Sequence, residues 1–151
     1  MGDSITEEWG RLSPEFFQPV VFVNRGIGGQ TTPQMLLRFK QDVINLNPLI
    51  VFILAGTNDI AGNTGPSNID MITNNIYSMA ELAMTYNIKT VLSSILPVDK
   101  YPWSDQIKEV PETILTINKK LKSFSNQHDI IYIDYYSCLL YTSPSPRDWL
   151  Q

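Results

Sequence analysis

Four short apolar runs, rich in β-branched residues, punctuate the chain at residues 20–23, 49–54, 90–96 and 130–134. Each is continuous rather than alternating, the pattern of a strand buried on both faces. Between them apolar residues return at helical spacing. Met35, Leu36, Phe39, Val43 and Ile44 mark a helix that Thr32 can cap, with Pro33 at its first position. Asn47-Pro48 ends it. Ser67 and Asp70 form a capping pair ahead of Ile69, Ile72, Ile76, Met79 and Ala83. A third helix starts near Pro111 and buries Ile114, Ile117, Leu121 and Phe124. This alternation predicts a single α/β domain, a parallel sheet with helices on both faces. Right-handed crossovers then place every strand-to-helix loop on one edge of the sheet. Ligands of such folds bind there, outside the carboxyl ends of the strands. The loops at residues 24–32, 55–66 and 97–110 should share that edge. The turn at residues 2–8 joins them if a strand precedes it.

Composition removes several classes of function. The 151 residues carry a net charge of −4 and a pI near 4.8, and the basic residues are scattered, so no nucleic-acid partner is expected. A single cysteine, Cys138, excludes an internal disulfide and a thiolate metal cluster. With His128 the only histidine, no structural zinc, other metal or cofactor is expected. No apolar run is long enough to span a membrane, and no signal-peptide pattern stands at the start.

Three loops carry residues suited to acyl transfer. That chemistry needs a nucleophile, a base, a group orienting the base, and donors for the oxyanion. "GDSIT" sets Ser4 in a tight turn running into a helix over residues 6–12, where free backbone N–H groups favour developing negative charge. Taken alone, a plain N-cap at Asp3 or Ser4 is the simpler account. "NRGIGGQTT" places Gly26, Gly28 and Gly29 after a strand, where glycine lets an N–H approach a reacting atom. Their spacing is not that of a dinucleotide fingerprint, and a plain turn is the simpler account. "AGTNDI" places Asn58 beyond a buried strand, where its amide can donate to an oxyanion or merely shape a turn.

The order of these blocks narrows the choice. "GDSIT", "GIGGQTT" and "GTND" resemble successive blocks of the SGNH (GDSL-type) hydrolase family of esterases and lipases, over roughly residues 1–137. The resemblance implies a flavodoxin-like three-layer α/β/α sandwich with sheet order 2-1-3-4-5. It implies Ser4 as nucleophile, and an oxyanion hole made of the Ser4 and Gly29 N–H groups with the Asn58 side chain. Asp59 would shape the turn. No G-x-S-x-G elbow is present, which argues against the ordinary α/β-hydrolase fold.

The family's fourth block, Asp-x-x-His, has no counterpart in these residues. His128 lies just before the last run, at the opposite sheet edge from Ser4. A five-residue strand spans roughly 17 Å, whereas a base must reach its proton within about 3 Å. The chain as written is therefore expected to be inactive as an esterase. Residues 138–151 have neither helical nor strand period and carry Ser-Pro repeats. They are expected to be a non-native or disordered tail following a partial hydrolase domain over residues 1–137. The start matches this expectation, because in the family an apolar central strand leads into Gly-Asp-Ser.

For substrate, Tyr101 and Trp103 in the loop after the third run, and Trp9 after the nucleophile turn, are candidate pocket walls, with partial core packing as the alternative. The polar character of the loop favours a small-molecule ester of short acyl or acetyl groups, including acetylated carbohydrate. The competing expectation is a non-catalytic carbohydrate- or lipid-binding relative.

Overall fold

The computed structural model describes residues 1–18, 22–104 and 106–142. Three parallel strands form the sheet, β1 (Ile50–Ile53), β2 (Lys89–Ser93) and β3 (Ile131–Ile133), in spatial order β1-β2-β3. Beyond β1 the pairing continues as single rungs. Gly2 bridges Leu54 on one side and Gly26 on the other, both parallel. The Leu54 N–H donates to the Met1 carbonyl at 3.2 Å, and the Ile27 N–H to the Gly2 carbonyl at 3.1 Å. Read across the sheet, the order is the Gly26 segment, Met1–Gly2, β1, β2, β3, the flavodoxin-like order 2-1-3-4-5. The fold is the α/β sandwich expected from the alternating pattern.

The helices are α1 (Ser4–Leu12), α2 (Pro14–Phe17), α3 (Thr32–Asp42), α4 (Thr57–Ile60), α5 (Ile69–Thr85), α6 (Val110–Gln127) and α7 (Tyr135–Thr142). The layer α3–α5–α6 covers one sheet face, where Val51 and Ile53 join Met35, Phe39, Ile72, Ile76, Met79, Ile114 and Ile117 in the core. Phe52, between them on β1, turns to the other face and meets the Tyr135 ring edge-on at 6.2 Å.

Local competition shifts several expected boundaries. Thr31, not Thr32, caps α3, because its side chain completes a capping box with Gln34 while Thr32 is drawn to Asp59. Asn68, not Ser67, caps α5, since the Ser67 hydroxyl donates to the Asp59 carbonyl. α1 starts at Ser4 rather than residue 6, with Asp3 as its cap. α3 ends at Asp42 and a 3₁₀ turn (Ile44–Leu46) follows, closed by Asn47 in the left-handed region at φ 47°. β2 stops at Ser93 because the Asn118 side chain takes both backbone groups of Ile95.

Two sequence expectations differ from the described residues in part. In the run at residues 20–23, Val20 and Val21 lie outside the described residues; Phe22 and Val23 are exposed and outside any strand. Phe22 instead stacks on Phe16 at 4.9 Å. The residues after 137 do not all lack helical structure, since 138–142 continue α7. Asp134 explains this: its carboxylate accepts the Ser137 N–H at 3.0 Å and hydroxyl at 3.1 Å, fixing a first turn that then propagates. Among the described residues, no helix is long and apolar enough to cross a membrane.

Candidate functional site

Ser4 occupies the first helical position of α1, so its own N–H has no acceptor within the helix. Asp3 caps the helix by accepting the Ile5 N–H at 2.9 Å. Asp3 is almost wholly buried, and burial pushes its carboxyl up to about 6. Two glycines make this turn possible. A Cβ on Gly26 would run into the Glu7 N and the carbonyl oxygen of Asp3, and one on Gly2 into the Thr6 side chain and the Leu54 carbonyl. α1 therefore lies directly on the second loop.

That loop brings Gly28 against the nucleophile. A Cβ on Gly28 would sit 3.8 Å from the Ser4 Cβ. Gly29 follows at φ +73°, a left-handed conformation that glycine adopts without strain. Polar side chains hold the loop from three directions. Glu7 Oε2 accepts the Gly28 N–H at 2.8 Å. Asn63 Nδ2 donates to the Gly29 carbonyl at 3.1 Å. Asn58 Nδ2 donates to the Gln30 carbonyl at 3.0 Å. The Gly28–Gly29 peptide is thus anchored on both sides, and Gly29 carries the N–H expected to face an oxyanion.

Asn58 enters from the first turn of α4, and it is 5% exposed. A side-chain amide has two N–H bonds; one goes to Gln30, leaving a second. Asp59, next to it, is committed elsewhere. It accepts the Thr32 N–H at 2.9 and 3.1 Å and the Thr32 hydroxyl at 2.6 Å, joining α4 to the start of α3. Burial raises its carboxyl, and the Thr32 bonds oppose that rise. Asp59 therefore ties α4 to α3.

Arg38 also supports this edge, and nothing in the sequence pattern singles it out. Its Nη2 donates to the carbonyls of Gly2 at 3.2 Å and Arg25 at 3.0 Å, its Nε to Gln30 Oε1 at 2.6 Å, and its Nη1 to Asp42 at 2.6 Å. Glu7, Asn63 and Arg38 are the residues that sequence reasoning missed. Only the position of Glu7, one turn after Ser4, offered a signal.

The aromatic candidates do not converge on Ser4. Tyr101 is 2% exposed and belongs to the core, its hydroxyl 2.8 Å from the Thr57 hydroxyl, so it is not an open pocket wall. Trp103 is exposed and leans on Tyr101 at 5.5 Å. Trp9 stacks on Phe16 at 4.8 Å and meets Phe17 edge-on. A groove of about 330 Å³ lies between the starts of α3 and α5, lined by Pro33, Thr64, Pro66, Met71 and Asn75. Ser4 does not line it. His128 ends α6 with its ring 4.3 Å from that of Phe124, ahead of β3 and so at the far edge of the sheet. Among the described residues, no group of three or more His, Cys, Asp or Glu side chains is placed to hold a metal ion.

Comparison with known proteins identifies the family. The GDSL-like lipase/acylhydrolase family model matches residues 1–151. A GDSL-like lipase from Bacteroides thetaiotaomicron is 46% identical with a TM-score of 0.90, over 92% of this chain and 68% of that one. The lipoprotein YqeF of Bacillus subtilis is 38% identical over 80 residues, half of this chain and 32% of that protein. The match therefore spans about a third of the lipoprotein's length. An acetylxylan esterase from Geobacillus stearothermophilus shares the fold at 17% identity and a TM-score of 0.71, with 83% of this chain covering 60% of that one.

Proposed function

The chain belongs to the GDSL-like lipase/acylhydrolase family, and we propose that Ser4 is its nucleophile in the hydrolysis of short-chain acyl or acetyl esters. The observation that carries this reading is the contact between two loops. Ser4 stands at a helix start with a free N–H, against the Gly28–Gly29 peptide, and Asn58 is fixed beside that loop.

In this mechanism Ser4 Oγ attacks the ester carbonyl carbon. The oxyanion accepts hydrogen bonds from the N–H groups of Ser4 and Gly29 and from the second Asn58 N–H. Collapse expels the alcohol and leaves an acyl-serine, which water then cleaves to the carboxylic acid. A base must take the Ser4 proton, and the only histidine of the 151 residues lies at the far edge of the sheet. The chain by itself is therefore a slow esterase. An oxyanion hole without its base retains roughly 10³–10⁴-fold catalysis over water. Acetylated carbohydrate is the leading natural substrate, and the fold shared with an acetylxylan esterase supports it only at the level of architecture.

The test is hydrolysis of an aryl acetate by residues 1–151, by Ser4→Ala, and by each with added imidazole. The expected result is weak hydrolysis that imidazole accelerates and that Ser4→Ala abolishes. Ser4-dependent turnover near 10 s⁻¹, typical of complete enzymes, would contradict the missing base. Equal rates for the two proteins would remove Ser4 as nucleophile.

A second reading is a non-catalytic carbohydrate or lipid binder of the same fold, favoured by the placement of His128. It expects saturable binding of an acetylated oligosaccharide or a lipid with no Ser4-dependent cleavage under any condition.

A further inference from the structure

We propose that Asn63 is the residue that sets the orientation of the oxyanion donors, a reading that rests on the Ser4 esterase site above. Its Nδ2 reaches two acceptors at once, the Gly29 carbonyl at 3.1 Å and Asn58 Oδ1 at 3.1 Å. These lie on the two loops that supply the Gly29 N–H and the Asn58 amide.

The second contact fixes, together with the Gln30 carbonyl, which way Asn58 faces. A side-chain amide presents an oxygen on one side and N–H bonds on the other, and only its neighbours distinguish the two orientations. Asn63 donates, so Asn58 must offer its oxygen to Asn63. Asn58 Nδ2 is thereby left pointing to the Gln30 carbonyl, 3.0 Å away, with its second N–H unassigned. Were Asn58 reversed, its N–H would oppose the Asn63 N–H, and its oxygen would oppose the Gln30 oxygen. Both contacts would then be repulsive.

Asn63 is itself well held. Its backbone N–H donates to the Asn58 carbonyl at 3.0 Å, closing the turn that follows α4. Gly62 precedes it at φ +76°, which lets the turn double back. The side chain is exposed and outside the core, so replacing it leaves the fold's packing untouched. Asn63 touches no reacting atom in this scheme and acts through Asn58 and Gly29. It is a positioning residue.

The test uses residues 1–151 with propylboronic acid as probe. Ser4 Oγ adds to boron and releases its proton to solvent, and the resulting tetrahedral boronate anion fills the oxyanion site. Boron NMR reads the affinity. Nitrogen NMR of the Asn58 side-chain amide reads its orientation without any need for Ser4 chemistry. Asn63→Leu keeps the branched skeleton, at a larger volume, and removes both N–H donors; Asn63→Asp keeps the shape and inverts the polarity. Removing one such support is expected to weaken boronate about tenfold in Asn63→Leu. In both variants the Asn58 amide protons should shift and exchange faster, most in Asn63→Asp, while β2 and α5 amides stay put. Asn58 amide signals unmoved in both variants overturn the proposal, as does boronate affinity in Asn63→Leu within twofold of the parent. If boronate fails to bind the parent through Ser4, the nucleophile assignment fails instead, and the Asn58 signals still decide the role of Asn63.

Discussion

Replacing Asp3 by Asn is expected to stabilise the chain at neutral pH, even though Asp3 caps the helix that carries Ser4. Asp3 is 1% exposed, and its carboxyl is raised from 3.8 to about 6. Burial is the main cause; the Ile5 N–H pulls the other way, and the Asp59 charge adds to the rise. The folded state therefore holds the proton more tightly than the unfolded chain does. Through the window from about 4 to about 6 the folded state binds more protons, so stability falls as pH rises and the full penalty is present above it. At about 1.4 kcal/mol for each pH unit, a rise from 3.8 to about 6 corresponds to about 3 kcal/mol. Asn has the same shape, stays neutral and caps a helix about as well as Asp. The variant should thus match the parent below about pH 4, gain through the window, and level off near pH 7. At about 2–4 °C per kcal/mol for a chain of this size, the plateau is worth roughly 6–12 °C in Tm. The difference between the urea melts of the two proteins at each pH isolates Asp3. An Asn variant no more stable at pH 7, or one whose gain is the same at pH 4 and pH 7, refutes the reasoning.

Other substitutions probe the same edge. Gly26→Ala would drive a Cβ into the Glu7 N and the Asp3 carbonyl oxygen, 2.8 Å away, so α1 must move; a loss of about 3 kcal/mol is expected in a denaturant melt, together with loss of Ser4-dependent aryl acetate hydrolysis. Asn118→Ala strips the buried N–H and carbonyl of Ile95 of their partners at 2.8 and 3.0 Å, and should cost about 2–4 kcal/mol in a urea melt with unchanged m. Thr32→Val keeps the volume but removes the 2.6 Å hydroxyl bond to Asp59, a bond that holds the Asp59 carboxyl down. Its cost of about 2 kcal/mol should therefore be larger at pH 7 than at pH 4, as paired melts would show.

The sheet, the main helices and the three loops proposed to carry the oxyanion donors follow from short-range rules, because apolar period and strand-end glycines act within a few residues. Residues 49–54, 90–96 and 130–134 each overlap an observed strand for that reason. The errors arise where two neighbours compete for one role. Thr31 and Thr32 are both capable caps, and Asp59, 27 residues away, decides between them by binding Thr32. Ser67 loses the cap of α5 to Asn68 because the Asp59 carbonyl takes its hydroxyl. The same physics hides Asn63, Glu7 and Arg38. Each is an ordinary polar residue whose role exists only once a loop from elsewhere in the chain lies within hydrogen-bond reach. Candidate donors can be picked out from sequence because backbone geometry favours glycine, or a short amide, at fixed places. The groups that aim those donors need only supply a polar atom at about 3 Å. Many residue types can do that from many chain positions. The orientation of Asn58, on which an oxyanion would depend, is thus determined by contacts that no local pattern encodes.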